Sequence, residues 1–310
     1  MPSTGRLTDH ELRSIPFNLL YSGLVSLYWI SLVIRMLALD IDGTLTTSER
    51  SISDRTCAAV RKAVDSGLEV VLATNRRYRS SLLIANQLGV VVPVVCVGGA
   101  LVKGKTGETV VCESFPAAAV QRIIQIARAE KQSLIVHHDA DLSQTRDFVL
   151  DDNDPWNIYT ARYFSEYESV AWVGDAQILS ARIKPIGATL FGEEQVLRDV
   201  ERQVTRDCPG VVLTIIREVD GFGWSCAVSQ RHVTKWTGLS RLAVVSGFTP
   251  AEVCAVGDEL NDLAMIEGAG VSVAMGNAHP KVKARATWVT DSNDHDGVVT
   301  VIERLLAEVS

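Results

Sequence analysis

The sequence has no excess of positive charge. Thirty lysines and arginines stand against 37 aspartates and glutamates, a net charge of −7. Nucleic-acid binding needs a basic face, so no nucleic-acid partner is expected, and an anionic ligand would have to be drawn in by a local cation. The six cysteines (Cys57, Cys96, Cys112, Cys208, Cys226, Cys254) contain no CxxC pair, which removes the usual zinc spacing. A chain of 310 residues does not need a disulfide framework, so buried reduced thiols and a cytoplasmic protein are expected. Internal repeats and low-complexity tracts are missing as well. Gly221-Phe222-Gly223 lacks the third glycine of a dinucleotide fingerprint and precedes a strand, which disposes of that reading.

One stretch lacks charge altogether. From Ile15 to Ile34 there is no charged residue, and the run is long enough to be considered for membrane spanning. The segment before it mixes charges (Arg6, Asp9, Glu11, Arg13) and no small-residue cleavage site comes after it, unlike a signal peptide. Only Arg35 separates the run from a buried strand beginning at Met36, which is poor geometry for an anchor. Residues 1–35 are therefore expected to be a spurious or dispensable N-terminal extension, with anchoring by 15–34 as the alternative. The composition of the whole chain, 47% hydrophobic and 22% charged, is ordinary for a soluble enzyme.

From Met36 short apolar runs alternate with helical stretches, the rhythm of a parallel α/β sheet. MLALDID, LEVVLAT and PVVCVGG read as three strands; Ser53 caps the first intervening helix and Gly67 stops it. The rhythm then breaks. A hairpin turned at Lys105-Thr106-Gly107 is followed by irregularly mixed strands and helices to about residue 230, and from Thr234 the alternation resumes. The expected fold is a Rossmann-like, doubly wound parallel core over 36–98 and 231–310, with an α+β cap inserted as 99–230 after the third strand.

Two acidic groups stand at strand ends. The first strand closes as Asp40-Ile41-Asp42-Gly43-Thr44-Leu45, where Gly43 lets the backbone turn close to a ligand. Paired carboxylates repel unless a cation lies between them, which suggests a hard, oxygen-seeking ion such as Mg²⁺; a solvated D-G turn is the plainer explanation. The second group is Gly257-Asp258-Glu259-Leu260-Asn261-Asp262, again after an apolar strand. If strands two and three grow to one side of the first, this later strand pairs on the other side. Both acidic ends then meet at the topological switch point, where such sheets bind ligands.

These residues resemble the haloacid dehalogenase-like hydrolase superfamily, and within it the Cof-type branch. DIDGTL is similar to the family's first motif, Leu72-Ala73-Thr74 to its second, Thr234-Lys235 to its third and GDELND to its fourth; AMGNAHPKVKARATWVTDSNDHDGV is similar to the branch's C-terminal segment. The resemblance runs from about Met36 to the end and is weak through the insert. It implies hydrolysis of a phosphomonoester of a small metabolite, such as a sugar phosphate or phosphorylated cofactor. Asp40 would be the nucleophile and Asp42 the general acid and base. Mg²⁺ would be held by Asp40, the backbone carbonyl of Asp42, and Asp258. Thr74 and Lys235 would bind phosphate, with Asp262 holding the lysine; Asn261 would be a further contact or simply a helix-start residue. Two departures bear on substrate fit: Asn75, followed by Arg76 and Arg77, stands where the family has glycine after the threonine, and Trp236 where it has glycine after the lysine. The same residues would serve a phosphomutase; an idle binding protein on this fold would not be expected to keep the carboxylate set.

Other features are assigned no role. His137 and His138 are adjacent on a strand, so they face opposite sides and do not share a metal with Asp139 and Asp141. Asp151, Asp152 and Asp154 read as a solvated loop. Trp156, Tyr159, Tyr163 and Phe164 read as cap core rather than a stacking platform.

Overall fold

A computed structural model describes residues 34–139, 146–152, 156–218 and 221–309. The N-terminal extension up to residue 33, with almost all of the uncharged 15–34 run, lies outside the described residues, as do Asp141 and Asp154. No helix among the described residues is long and apolar enough to cross a membrane.

The expected doubly wound α/β core is present. Strand β1 (Met36–Leu39) is buried on both faces and pairs in parallel with β2 (Glu69–Ala73) on one side and β12 (Val253–Gly257) on the other. Beyond β2 lies β3 (Val94–Cys96); beyond β12 lie β13 (Val271–Ala274) and β14 (Trp288–Val289). The chain therefore leaves β1 in one direction and returns on its other side, and the switch point falls between β1 and β12. Helix α1 (Asp54–Asp65) starts at Ser53, whose side chain accepts from Thr56 N–H, and α2 (Tyr78–Leu88) ends at Gly89 in the left-handed region.

Two boundaries differ from the sequence reading. Ile34 is buried in the core, and Arg35 donates its N–H to the Glu252 carbonyl and accepts from Glu69 N–H, so the core packing includes the two residues before Met36. The hairpin assigned to the insert belongs to the core sheet instead: β4 (Leu101–Lys103) pairs antiparallel with β3, and β5 (Thr109–Cys112) pairs with β4. Its apolar strands complete an eight-stranded sheet, so the expected cap start at residue 99 moves beyond Cys112.

After it comes helix α3 (Ala117–Ala129), then a second, six-stranded sheet in the order β10-β11-β9-β6-β7-β8. Its strands are β6 (Ile135–His138), β7 (Phe148–Asp151), β8 (Ala171–Gly174), β9 (Pro185–Gly192), β10 (Val211–Arg217) and β11 (Trp224–Gln230). Helices α3 and α5 (Glu194–Asp207) cover one face through Ile123, Ile124, Leu197 and Val200. On the other face α4 (Ile158–Tyr167) lays Tyr163 and Phe164 with Trp156 against Phe148 and Leu150, while Tyr159 sits apart, against Phe222. The aspartate run is not a solvated loop throughout. Asp151 is fully buried at the end of β7, where the Arg128 guanidinium meets its two oxygens at 2.8 and 2.7 Å; a charge that far inside needs such a partner.

Candidate active site

The parallel register brings the chemistry together. Leu39 lies opposite Leu72 and Val256, so Asp40, Thr74 and Asp258 all emerge just past the same end of the sheet. The turn at Ile41–Leu45 carries the chain away, with Gly43 at a φ of 79°. A side chain there would collide with Asp258: a Cβ would stand 2.3 Å from its Oδ2. Thr44 donates its hydroxyl to Asp258 Oδ1 at 3.0 Å, tying the two acidic ends together.

Lys235 enters from helix α6 (Lys235–Val245), whose first turn is closed by a reciprocal pair of hydrogen bonds between Thr234 and Thr237. This helix start is pressed onto the core at Gly99, where a Cβ would stand 1.9 Å from the Thr234 carbonyl oxygen. The lysine is 1% exposed, and its Nζ donates to Asp40 Oδ1 at 2.5 Å and to Asp262 Oδ1 at 2.6 Å. Burial alone would lower the amine's pKa; the charges of Asp262 and Asp40 outweigh it and push the pKa up. Asp262 spends its other oxygen on the N–H groups of Asp258 and Glu259.

The remaining carboxylates are left in a costly state. Burial and the negative charge of Asp262 raise the pKa of Asp40 well above the ordinary range despite Lys235. Burial, again with Asp262, raises Asp258 to about 7. Carboxylate oxygens of Asp40, Asp258 and Asp262 lie within 4.8 Å of one another. An all-oxygen donor set, with two carboxylates that one lysine does not neutralise, fits a hard divalent ion such as Mg²⁺. Asp42 is outside this group. Its carboxylate is paired with Arg76, which grips it with both fork nitrogens.

Thr74 is buried and its hydroxyl accepts from Arg76 N–H. Asn261 Oδ1 is buried without a hydrogen-bond partner. Of the two departures, Asn75 lines the cavity beside Lys235, whereas Trp236 turns away and packs on Gly268. Sequence reasoning missed the partners of the motif residues. Thr44 stood inside the first motif, and Arg76 was noted only as a departure. Arg77 and Arg79 both bind Asp147 of the inserted region, at 3.2 and 2.9 Å, and no sequence signal pairs them.

Residues 37–302 match the family model described as haloacid dehalogenase-like hydrolase. The chain belongs to the haloacid dehalogenase-like hydrolases. A 5-amino-6-(5-phospho-D-ribitylamino)uracil phosphatase of Bacillus subtilis is 28% identical over 269 residues, covering 87% of this chain and 94% of that protein. A stress response protein of the same organism is 27% identical over 278 residues, covering 87% and 92%. Among solved structures, a haloacid dehalogenase-like hydrolase from Bacteroides thetaiotaomicron superposes with a TM-score of 0.75 at 26% identity, over 88% of this chain and 99% of the other. This member of the family is a phosphatase enzyme.

Proposed function

We propose that this phosphatase hydrolyses a small phosphorylated metabolite through a phosphoryl-aspartate on Asp40, with Mg²⁺ as cofactor and in the cytoplasm. The observation that carries the reading is Lys235, buried and bridging Asp40 and Asp262 beside Asp258. Asp40 commits Oδ1 to the lysine and offers Oδ2 to phosphorus. Its bond to phosphorus forms as the ester P–O bond breaks, and Asp42 gives a proton to the departing alcohol oxygen. Water then attacks the phosphoryl-aspartate, Asp42 takes its proton back, and phosphate leaves with Asp40 restored. Lys235, Thr74 and Asn261 hold the phosphoryl oxygens; Asp262 and Gly43 keep the lysine and the loop in place. When bound by Asp40, the Asp42 carbonyl and Asp258, Mg²⁺ supplies positive charge against the phosphoryl oxygens. Core segments 34–112 and 231–310 would carry this chemistry, with the second sheet as a cap over it. The uracil-derivative phosphatase among the relatives supports a small-molecule substrate, and six unpaired cysteines support a reducing compartment.

Asp40→Asn tests this reading. It keeps the shape but not the nucleophile, so phosphate release should fall by roughly a thousandfold or more with an unchanged circular dichroism spectrum. A variant retaining a few per cent of wild-type rate would reject Asp40 as the nucleophile.

A further inference from the structure

The segment AMGNAHPKVKARATWVTDSNDHDGV stands out in the sequence, yet none of its side chains enters the chemistry above. Its two ends form loops, residues 275–279 after β13 and 290–296 after β14. Strands β1, β12, β13 and β14 pair in parallel, so both loops leave the sheet at the same edge as Asp40 and Asp258. The loops are pressed together. Gly276 donates its N–H to the Asp291 carbonyl at 2.9 Å, and a Cβ at Gly276 would stand 2.6 Å from Ser292 N.

Together they hold both acidic strand ends. His279 donates its N–H to the Asp258 carbonyl at 2.8 Å. Asn277 donates from Nδ2 to the Gly43 carbonyl at 2.8 Å, and Asn293 from Nδ2 to the Thr46 carbonyl at 2.9 Å. Asn277 Oδ1 accepts in turn from Asn293 N–H at 3.0 Å. A carbonyl only accepts and an N–H only donates, so these two partners fix which way the Asn277 amide points. The turn they reach is irregular, with Asp42 at φ −80°, ψ 117° and Gly43 at φ 79°, ψ 0°. Glycine lets the peptide groups beside it rotate more freely than other residues do. The Asp42 carbonyl belongs to the peptide group on one side of Gly43, and the carbonyl that Asn277 holds belongs to the one on the other side. Fixing the second restricts the first.

Resting on the Mg²⁺-dependent phosphatase reading above, we propose that Asn277 and Asn293 are positioning residues for the metal: by holding the Gly43 and Thr46 carbonyls they set the turn that presents the Asp42 carbonyl. Neither side chain touches the ion or the substrate. Groups that orient a metal ligand from outside typically change metal affinity by about 10- to 100-fold when removed.

The test is Mg²⁺ binding without substrate, by isothermal titration calorimetry and by the rise in Tm. It compares the full chain as wild type, Asn277→Ala, Asn277→Asp, Asn293→Ala and Arg55→Ala. The Kd for Mg²⁺ should rise about tenfold in Asn277→Ala and at least about threefold in Asn293→Ala. Asn277→Asp keeps the acceptor for Asn293 N–H and removes the donor to Gly43. Its added negative charge would by itself draw a cation in, so a raised Kd there isolates the lost bond. Arg55 pairs with Asp296 of the same loop at 3.2 Å and bonds no residue of the turn among the described residues. Arg55→Ala should therefore stay within about twofold, as an exposed pair is worth little. Melting in excess chelator reads any loss of packing separately. A Kd within about twofold of wild type in Asn277→Ala would overturn the proposal, as would an equal shift in Arg55→Ala. Asn293→Ala decides the matter if the Asn277 variants do not fold. Wild-type protein whose calorimetric trace and Tm both ignore Mg²⁺ would instead overturn the metal reading itself.

Discussion

Arg76 holds the carboxylate of Asp42 as a two-pronged fork, Nε to Oδ2 at 2.8 Å and Nη2 to Oδ1 at 2.5 Å. The proposed proton carrier is thus not free to rotate, although its side chain is 57% exposed. Planar, two-point contact of this kind fixes direction as well as supplying charge.

Arg76→Ala should therefore cost catalysis more than stability. We expect kcat to fall about 10- to 100-fold as Asp42 loses its aim, with a stability change under about 1 kcal/mol because the pair is solvent-exposed. Arg76→Lys should not restore the rate, since an ammonium cannot form the fork. Urea titration beside phosphate-release kinetics separates the two effects; full activity in the alanine variant would show that Asp42 needs no such guide.

Metal removal should be equally plain. The donors gathered at Asp40 and Asp258 are oxygens, so activity should vanish in chelator, return with Mg²⁺ and not return with Zn²⁺. Binding should also be visible without turnover: Mg²⁺ at a hundred times its Kd should stabilise the fold by about 2.7 kcal/mol, read as a rise in Tm. Asp258→Asn should abolish that rise. A Tm indifferent to Mg²⁺ in wild-type protein would count against a metal at this place.

Asp147 joins the two sheets' regions. It is buried, receives Arg77 and Arg79, and Arg77 also stacks over Phe148 and Tyr167 at 4.6 and 4.8 Å. Replacing it by asparagine leaves Arg77, 11% exposed, facing a neutral amide, while Arg79, 36% exposed, keeps access to water. The expected loss is about 3 to 5 kcal/mol, the cost of stranding buried charge, together with a raised KM. Chemical denaturation that shows less than about 1 kcal/mol would mean that water screens the cluster.

The depressed pKa of His137 gives a pH dependence with a definite sign. The unfolded chain binds a proton near pH 6.5 while the folded one resists until about 3. Stability from this group is complete above the unfolded value and drains as pH falls between the two, by up to about 1.4 kcal/mol per pH unit. Circular dichroism melts from pH 7 to 4 should show His137→Gln with a shallower acid decline than wild type. Parallel curves would remove His137 from the account.

Much of this arrangement was legible in the sequence because it rests on local pattern. Continuous apolar runs marked the buried parallel strands, and the order of strands placed Asp40 and Asp258 at one crevice. Long-range pairing was not legible. Nothing in Leu101–Cys112 says which sheet its hairpin extends; that depends on the open edge of β3. Strands β7 and β8 are four residues each, too short for a period to declare itself. Asp151 looked like solvated charge because its neighbours are acidic, whereas its partner Arg128 lies 23 positions away. The same holds for Arg76, whose meaning depends on a side chain 34 positions earlier.

Lys235 has a consequence for chemical labelling. Reagents that acylate or carbamylate lysine attack the neutral amine, and this one is an ammonium sealed between two carboxylates at 1% exposure. It should be among the slowest lysines in the native protein to react and should do so only as the region opens. The extent of its modification, read by mass spectrometry, therefore reports how often the surroundings of Asp40 and Asp262 unfold.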